Sequence, residues 1–291
     1  MRIVHTIAGL RESHGGTSRS VPFLCENLAN LGFDVHVITG VQWDKTQRDI
    51  LPDYPCHVHT AIESKYIRQW GVPRRFKQHL ASLTAVPEPT VIHDHGMWLA
   101  SNHVVANVAR RQKLCRVVSI HGMLTSWALQ RRGWIKKICW YGYQSRDLKT
   151  AHSFISSSEQ EMQDLRRIGL TQPIGLIPHA YRQPASLPKR KNTGATKTAV
   201  SLTRIHPVKG LIALVEAWKH AGVANDWKLL LAGPDENGHQ AEVQLQINRL
   251  GLQDRIAFIG PLSDTQKWQF LVDSDLFILS SFSENFGIVV A

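Results

Sequence analysis

Acidic residues are scarce in this chain of 291 residues: 23 Asp and Glu stand against 34 Lys and Arg, a formal net charge of +11. A surplus of that size favours anionic partners, namely nucleic acid, phosphate-bearing ligands or acidic lipid headgroups. Neither zinc-finger spacing nor an RNP-type aromatic strand is present, so no nucleic-acid partner is expected. Cysteine is sparse too. Positions 25, 56, 115 and 139 share no metal-type or redox-type spacing, which fits reduced thiols in a cytosolic protein. No run approaches eighteen consecutive apolar residues, so no transmembrane helix is expected. The opening Met1-Arg2-Ile3-Val4-His5-Thr6-Ile7 turns polar too quickly for a signal peptide and reads as a first strand. A Gly-x-Gly-x-x-Gly fingerprint is also missing, which argues against a nicotinamide cofactor.

What is present is an alternation of short β-rich runs with amphipathic segments, the pattern of doubly wound α/β domains. Strands are predicted at 2–7, 35–39, 57–61, 90–93, 115–120, 153–157 and 174–177. Val21, Leu24, Leu28 and Leu31 fall on one face of a first helix that stops at Gly32. The first domain spans 1–183. A polar, Pro- and Lys-rich stretch over 184–198 reads as a linker, and a second αβ series fills 199–291. In that series strands are predicted at 199–203, 228–232, 255–259 and 275–280, with helices at 208–221, 239–249 and 264–273. The last strand has no helix after it, so the second domain reads as incomplete. Two such domains joined by a hinge suggest a ligand in the cleft between facing strand ends.

Five constellations stand out. Gly15-Gly16 sits between the first strand and the first helix, where backbone can approach a ligand and the helix N-terminus favours phosphate; a plain loop tip is the alternative. His93-Asp94-His95, with Trp98 beyond, follows a buried-looking strand and could bind metal, line a polar cleft or hydrogen-bond within its loop. No third metal ligand is evident, and no metal is assigned. His121-Gly122 repeats that placement at the next strand end. Arg204 and Lys209 flank the first helix of the second domain, a diphosphate site in chemical terms. Between Trp127 and Lys149, six basic residues (Arg131, Arg132, Lys136, Lys137, Arg146, Lys149) interleave with Trp127, Trp134, Trp140, Tyr141 and Tyr143. That mixture suits either a membrane-interface surface or a core helix with solvated charges.

Taken in order, these residues resemble the retaining, metal-independent GT-B glycosyltransferases of glycosyltransferase family 4. The ordered set is Gly15-Gly16, His93-Asp94-His95-Gly96, His121-Gly122-Met123, Ser156-Ser157-Ser158 with Glu161, Ile177-Pro178, Arg204 to Lys209-Gly210, Ala232-Gly233-Pro234-Asp235-Glu236 and Ser283-Glu284-Asn285-Phe286-Gly287. Members that build bacterial surface polysaccharides and lipopolysaccharides are the most similar. The resemblance implies two Rossmann-like domains, a nucleotide-sugar donor, a glycan or lipid-linked acceptor on the first domain, and no cofactor. It implies that Gly16 offers its N–H to the distal phosphate, that His121 meets the donor sugar, and that Arg204 and Lys209 neutralise the leaving diphosphate. Glu284 would hold sugar hydroxyls beside the Asn285-Phe286-Gly287 amides, and backbone near Gly260 would meet the base. His93, His95 and Trp98 would line the acceptor cleft. Peripheral contact with an anionic membrane on the cytoplasmic side fits the charge.

Two departures stand out. Where the family commonly has Ile-Pro-Asn-Gly, this chain has Ile177-Pro178-His179-Ala180, which puts a left-handed hinge turn in doubt. The family's second glutamate, eight positions after Glu284, falls just past Ala291, so an inactive or binding-only fragment is the alternative reading.

Overall fold

Each apolar or β-branched run becomes a strand of a parallel sheet, and each amphipathic stretch becomes a helix that covers it. The computed structural model describes residues 1–11, 15–42, 49–63, 72–130, 133–191 and 194–291. The chain divides into two units, Met1–Arg182 and Gln183–Ala291.

The first unit runs β1 (Arg2–Ile7), α1 (Thr17–Asn30), β2 (Asp34–Gln42), β3 (His57–Glu63), α2 (Arg74–Thr84), β4 (Thr90–His95), α3 (Ala100–Gln112) and β5 (Cys115–Ser119). It continues through α4 (Ser126–Gln130), α5 (Gly133–Cys139), a π-helical turn (Trp140–Gln144), α6 (Ser145–Lys149), β6 (Ser153–Ser156), α7 (Glu159–Arg167) and β7 (Ile174–Leu176). The seven strands are parallel in the order β3-β2-β1-β4-β5-β6-β7. Strand order therefore reverses between β1 and β4, the position where open α/β sheets bind ligands beyond their carboxyl ends.

Successive strand residues face opposite sides. On one side Val4, Ile38 and Ile92 pack against Phe76 and Leu80 of α2 and Val105 and Ala109 of α3. On the other, Ile7, Val35 and Val37 meet Val21, Cys25 and Ala29 of α1. The buried stripe of α1 thus differs from the expected leucine face: Leu24 and Leu28 are half-buried and Leu31 is 75% exposed. Small side chains spaced four apart let the helix lie close to the sheet, and this displaces the leucines to its flanks.

The second unit comprises β8 (Lys197–Leu202), a 3-10 turn (Pro207–Lys209), α8 (Leu211–His220), β9 (Trp227–Ala232), α9 (His239–Arg249), β10 (Ile256–Gly260), α10 (Asp264–Val272) and β11 (Leu276–Phe277). Its parallel order is β10-β9-β8-β11, with the reversal between β8 and β11. Leu211, Leu214, Val215 and Trp218 of α8 and Val243 and Ile247 of α9 close one face over Ala199, Leu229 and Leu231. The other face is thinly covered. No residue of α10 is buried, and an open depression of about 320 Å3 lies between it and Thr198, Val200 and Leu230.

Two elements differ from the sequence reading. The helix expected from 208 begins as the 3-10 turn, and Gly210 takes a left-handed conformation (φ 62°) before α8 starts. A Cβ at Gly210 would sit 2.3 Å from the Ser280 carbonyl oxygen, so the chain must turn there without a side chain. The strand expected over 275–280 pairs only through Leu276 and Phe277; Ile278 adds one bond to Val200 (2.8 Å), and Ser280 then turns to the Lys209 carbonyl (2.9 Å). After Gly287 the chain makes a turn, with the Val290 N–H donating to the Gly287 carbonyl.

Candidate active-site residues

In the first unit the strand register gathers histidines at the sheet's carboxyl edge. His5 lies opposite His93, and Ile7 opposite His95. His5, His93 and His95 therefore share one face while Thr6 and Asp94 share the other. On the histidine face, His5 Nδ1 is bonded to His95 Nε2 at 3.0 Å, and His95 Nδ1 to His121 Nε2 at 2.9 Å. The His5–His95 and His95–His121 rings are nearly parallel, at 15° and 13°. His179 continues the series by stacking on His121 at 5.5 Å between ring centres. His93 instead bonds through Nε2 to Ser119 Oγ at 2.8 Å.

Burial drives all of these imidazoles towards the neutral form. It lowers His5 to about 4 and His121 to about 3, holds His93 and His95 well below the usual histidine range, and lowers His179 against the opposing pull of Glu161. The result is a neutral hydrogen-bonded row running from the core to the loop after β5.

The opposite face is charged. Burial raises the Asp94 carboxyl to about 6, although Arg116 at 3.1 Å, Asn102 at 2.9 Å and Thr6 at 3.0 Å all favour its ionised form. His121 has φ 52°, and its loop is pinned where the Gly122 N–H donates to Glu161 Oε1 at 2.6 Å. Buried Glu161 also accepts from the Ser157 N–H at 2.7 Å. Trp98, likewise left-handed at φ 77°, is held by its N–H donating to Gln144 (2.7 Å) and its carbonyl accepting from the Tyr143 hydroxyl (2.8 Å). Two such constraints are what keep a bulky residue in that region.

Of the three residues expected to line the acceptor cleft, His93 and His95 are buried, with His93 Nε2 and both ring nitrogens of His95 bonded inside the protein. Trp98 is half-buried and packs on Trp140. Gly15 (φ 77°) and Gly16 lead directly into α1, where Gly16 is the residue before the first helical turn. Ala180 is not among the left-handed residues, so the hinge substitution needs no strained turn. His5 is the participant the sequence reading missed. Its only signal was a pair of polar residues, His5-Thr6, inside a central strand expected to be apolar.

His5 also supplies the third nitrogen absent from the sequence argument for a metal: ligand-capable atoms of His5, His93 and His95 lie within 4.8 Å of one another. A cation there would have to break the His5–His95 bond, so the nitrogens present fit a hydrogen-bonded row better than a coordination shell.

In the second unit Lys209 and Glu284 meet where β8 and β11 reverse the strand order. Lys209, at the end of the 3-10 turn, forms an ion pair with Glu284, whose Oε1 also accepts from the Ser281 hydroxyl at 2.7 Å. Arg204 pairs with Glu236 beyond β9. Gly233 ties the loop after β9 to the end of β10, with its N–H donating to the Gly260 carbonyl at 2.9 Å. Gly260 (φ 78°) and Gly287 (φ 68°) are left-handed turns on the same carboxyl edge, and Asn285 and Phe286 follow Glu284 there. Two cations, each held by a carboxylate, thus line one edge and offer alternatives for an incoming anion.

The basic and aromatic segment splits in two. Trp140 and Tyr143 turn inward to Trp98, and Lys136 lies over the Trp98 ring at 5.8 Å. Trp134 (69% exposed), Ile138 (59%) and Tyr141 (86%) face outward at spacings of four and three, beside exposed Lys137. Arg131 and Arg132 lie outside the described residues.

Residues 15–179 match the family model described as a glycosyl transferase 4-like domain, and 183–291 match glycosyl transferases group 1. The GDP-mannose:cellobiosyl-diphosphopolyprenol alpha-mannosyltransferase of Xanthomonas campestris is 24% identical over 99% of this chain and 74% of its own length. Among solved structures, Anabaena HepE in complex with UDP and glucose aligns with a TM-score of 0.68 at 16% identity, covering all of this chain and 77% of that one. Sucrose-phosphate synthase from Thermosynechococcus elongatus aligns at 0.73 and 21%, covering 99% and 77%. With the first family model alone covering more than half of its length, the chain belongs to the GT-B glycosyltransferases of the glycosyl transferase 4-like family, enzymes that move a sugar from a nucleotide-sugar donor.

Proposed function

We propose that the protein transfers a hexosyl group, with retention at the anomeric carbon and without a metal ion, from a nucleotide-diphosphate sugar to a lipid-linked glycan acceptor in the building of a cell-surface polysaccharide. The observation that carries this reading is the Lys209–Glu284 pair at the strand-order reversal of the second unit, with a second cation, Arg204, on the loop that follows β8. As the bond to the diphosphate breaks, negative charge grows on the leaving group. Cations already aimed at it lower the barrier without reorganising. Lys209 leaves Glu284 for the phosphate, and Glu284 is then free to accept hydrogen bonds from sugar hydroxyls. The substrate named for the Xanthomonas relative, a diphosphopolyprenol-linked disaccharide, supports an acceptor of that class.

Such an acceptor sits in a membrane, and the exposed stripe Trp134, Ile138 and Tyr141 with Lys137 and a net charge of +11 suits an anionic headgroup layer. The enzyme on this reading works at the cytoplasmic membrane face. The test is incubation with GDP-mannose or UDP-glucose and a polyprenyl-diphosphate disaccharide in the presence of EDTA, with the product's anomeric coupling read by NMR. An α-linked product is expected. A β-linked product, or transfer only after divalent cation is restored, overturns the retaining, metal-independent reading.

A further inference from the structure

His5, His95 and His121 form a row of neutral imidazoles, and a neutral imidazole carries a single N–H. In such a row every proton must point the same way. One direction has His5 donating from Nδ1 to His95 Nε2, and His95 donating from Nδ1 to His121 Nε2. The reverse direction puts a proton on His5 Nε2. That atom is fully buried and has no hydrogen-bond partner among the described residues. An N–H stranded there is the arrangement folded proteins avoid most strictly, whereas a lone pair without a donor is better tolerated. The row therefore runs outward from His5, and its last proton falls at the partly exposed end.

We propose that His5 and His95 are positioning residues that lock His121 in its Nδ1–H tautomer, so that a neutral hydrogen-bond donor is presented to the substrate. The inference rests on the reading that His121 meets the donor sugar. A neutral donor suits an uncharged acceptor such as a sugar hydroxyl oxygen. Free imidazole favours the Nε2–H form, so the locked state is one that His121 would not choose by itself. The left-handed backbone at His121, clamped through Gly122 to Glu161, fixes the direction in which that N–H points.

The test is long-range 1H–15N correlation on the full chain labelled with 15N-histidine at neutral pH, with signals assigned by loss in single His→Gln variants. His5, His95 and His121 are all expected to be protonated at Nδ1, with scalar coupling across both N–H···N bonds. His95→Asp replaces the donor facing His121 with an ionised acceptor, and the His121 proton is then expected on Nε2. A wild-type His121 protonated at Nε2 overturns the proposal, as does an unchanged Nδ1–H form in a folded His95→Asp variant. Stoichiometric zinc in the purified protein overturns it too, because the metal would occupy the lone pairs the row requires. Because tautomers are read without substrate, a protein that shows the locked row yet transfers no sugar refutes the functional reading alone.

Discussion

Lowering the pH from 7 to 5 should weaken the first unit through its buried histidines. His5 is lowered from 6.5 to about 4 and His121 to about 3, both by burial. Between those values and 6.5, the unfolded chain binds protons that the folded chain refuses. Their contribution is complete above pH 6.5 and is lost as pH falls. At 1.36 kcal/mol per pH unit, each costs about 2 kcal/mol by pH 5. Asp94 works in the opposite sense: raised from 3.8 to about 6, it takes up a proton in the folded state first and returns about 1 kcal/mol. The net loss is about 2–3 kcal/mol, large against a typical domain stability of about 5–15 kcal/mol, and His93 and His95 add to it in the same direction. Hydrogen exchange by mass spectrometry in graded urea, corrected for intrinsic rates, reads the opening free energy of peptides covering β1 and β4. Peptides from β9 in the second unit serve as reference. Opening energies for β1 and β4 that stay level or rise at pH 5 would refute the reasoning, because the row would then accept protons without breaking.

Four other outcomes follow from named contacts. Lys209→Ala should lower turnover by about 10²–10³-fold, because a leaving-group cation is lost; near-normal turnover would remove that role. Gly233→Ala must place a Cβ 1.9 Å from the Thr203 carbonyl oxygen at φ 142°, so thermal unfolding should show a loss of about 3 kcal/mol or more; a silent substitution would show that this loop yields easily. Arg116→Met strands the buried Asp94 carboxylate and should cost about 3–5 kcal/mol in urea unfolding at pH 7. The additional variant Asp94→Asn should recover part of that loss, and no recovery would assign the damage to Arg116 packing. Trp134→Ser with Tyr141→Ser should abolish co-sedimentation with anionic vesicles, and wild-type binding should weaken as salt rises; salt-insensitive binding would exclude the charged-surface account.

Most of the element order was legible because a parallel sheet buried on both faces demands continuous apolar runs, and the intervening helices show their own period. The reading failed where small residues decide packing. The α1 stripe passes through Cys25 and Ala29 rather than the leucines, since close approach to a sheet favours small side chains over large ones. It was also incomplete at the strand ending at Phe277, where Ser280 abandons pairing to serve the Lys209 loop. At the candidate site, residue types at strand ends were readable one at a time: His121, Arg204, Lys209 and Glu284 each stood at a predicted edge.

The sequence alone determined that two doubly wound α/β domains follow one another and that their strand ends carry histidines, cations and an acid, because hydrophobic period and turn residues are local properties. Which of these side chains meet was decided only by tertiary structure. Register places His5 beside a strand some ninety residues later, and the turn at Gly210 lets Lys209 reach Glu284 across 75 positions. Register and loop closure depend on the fit of whole layers, and no window of sequence contains both partners. The neutral state of the histidine row has the same origin: burial beneath packed strands and helices lowers an imidazole's proton affinity, and burial belongs to the assembled fold.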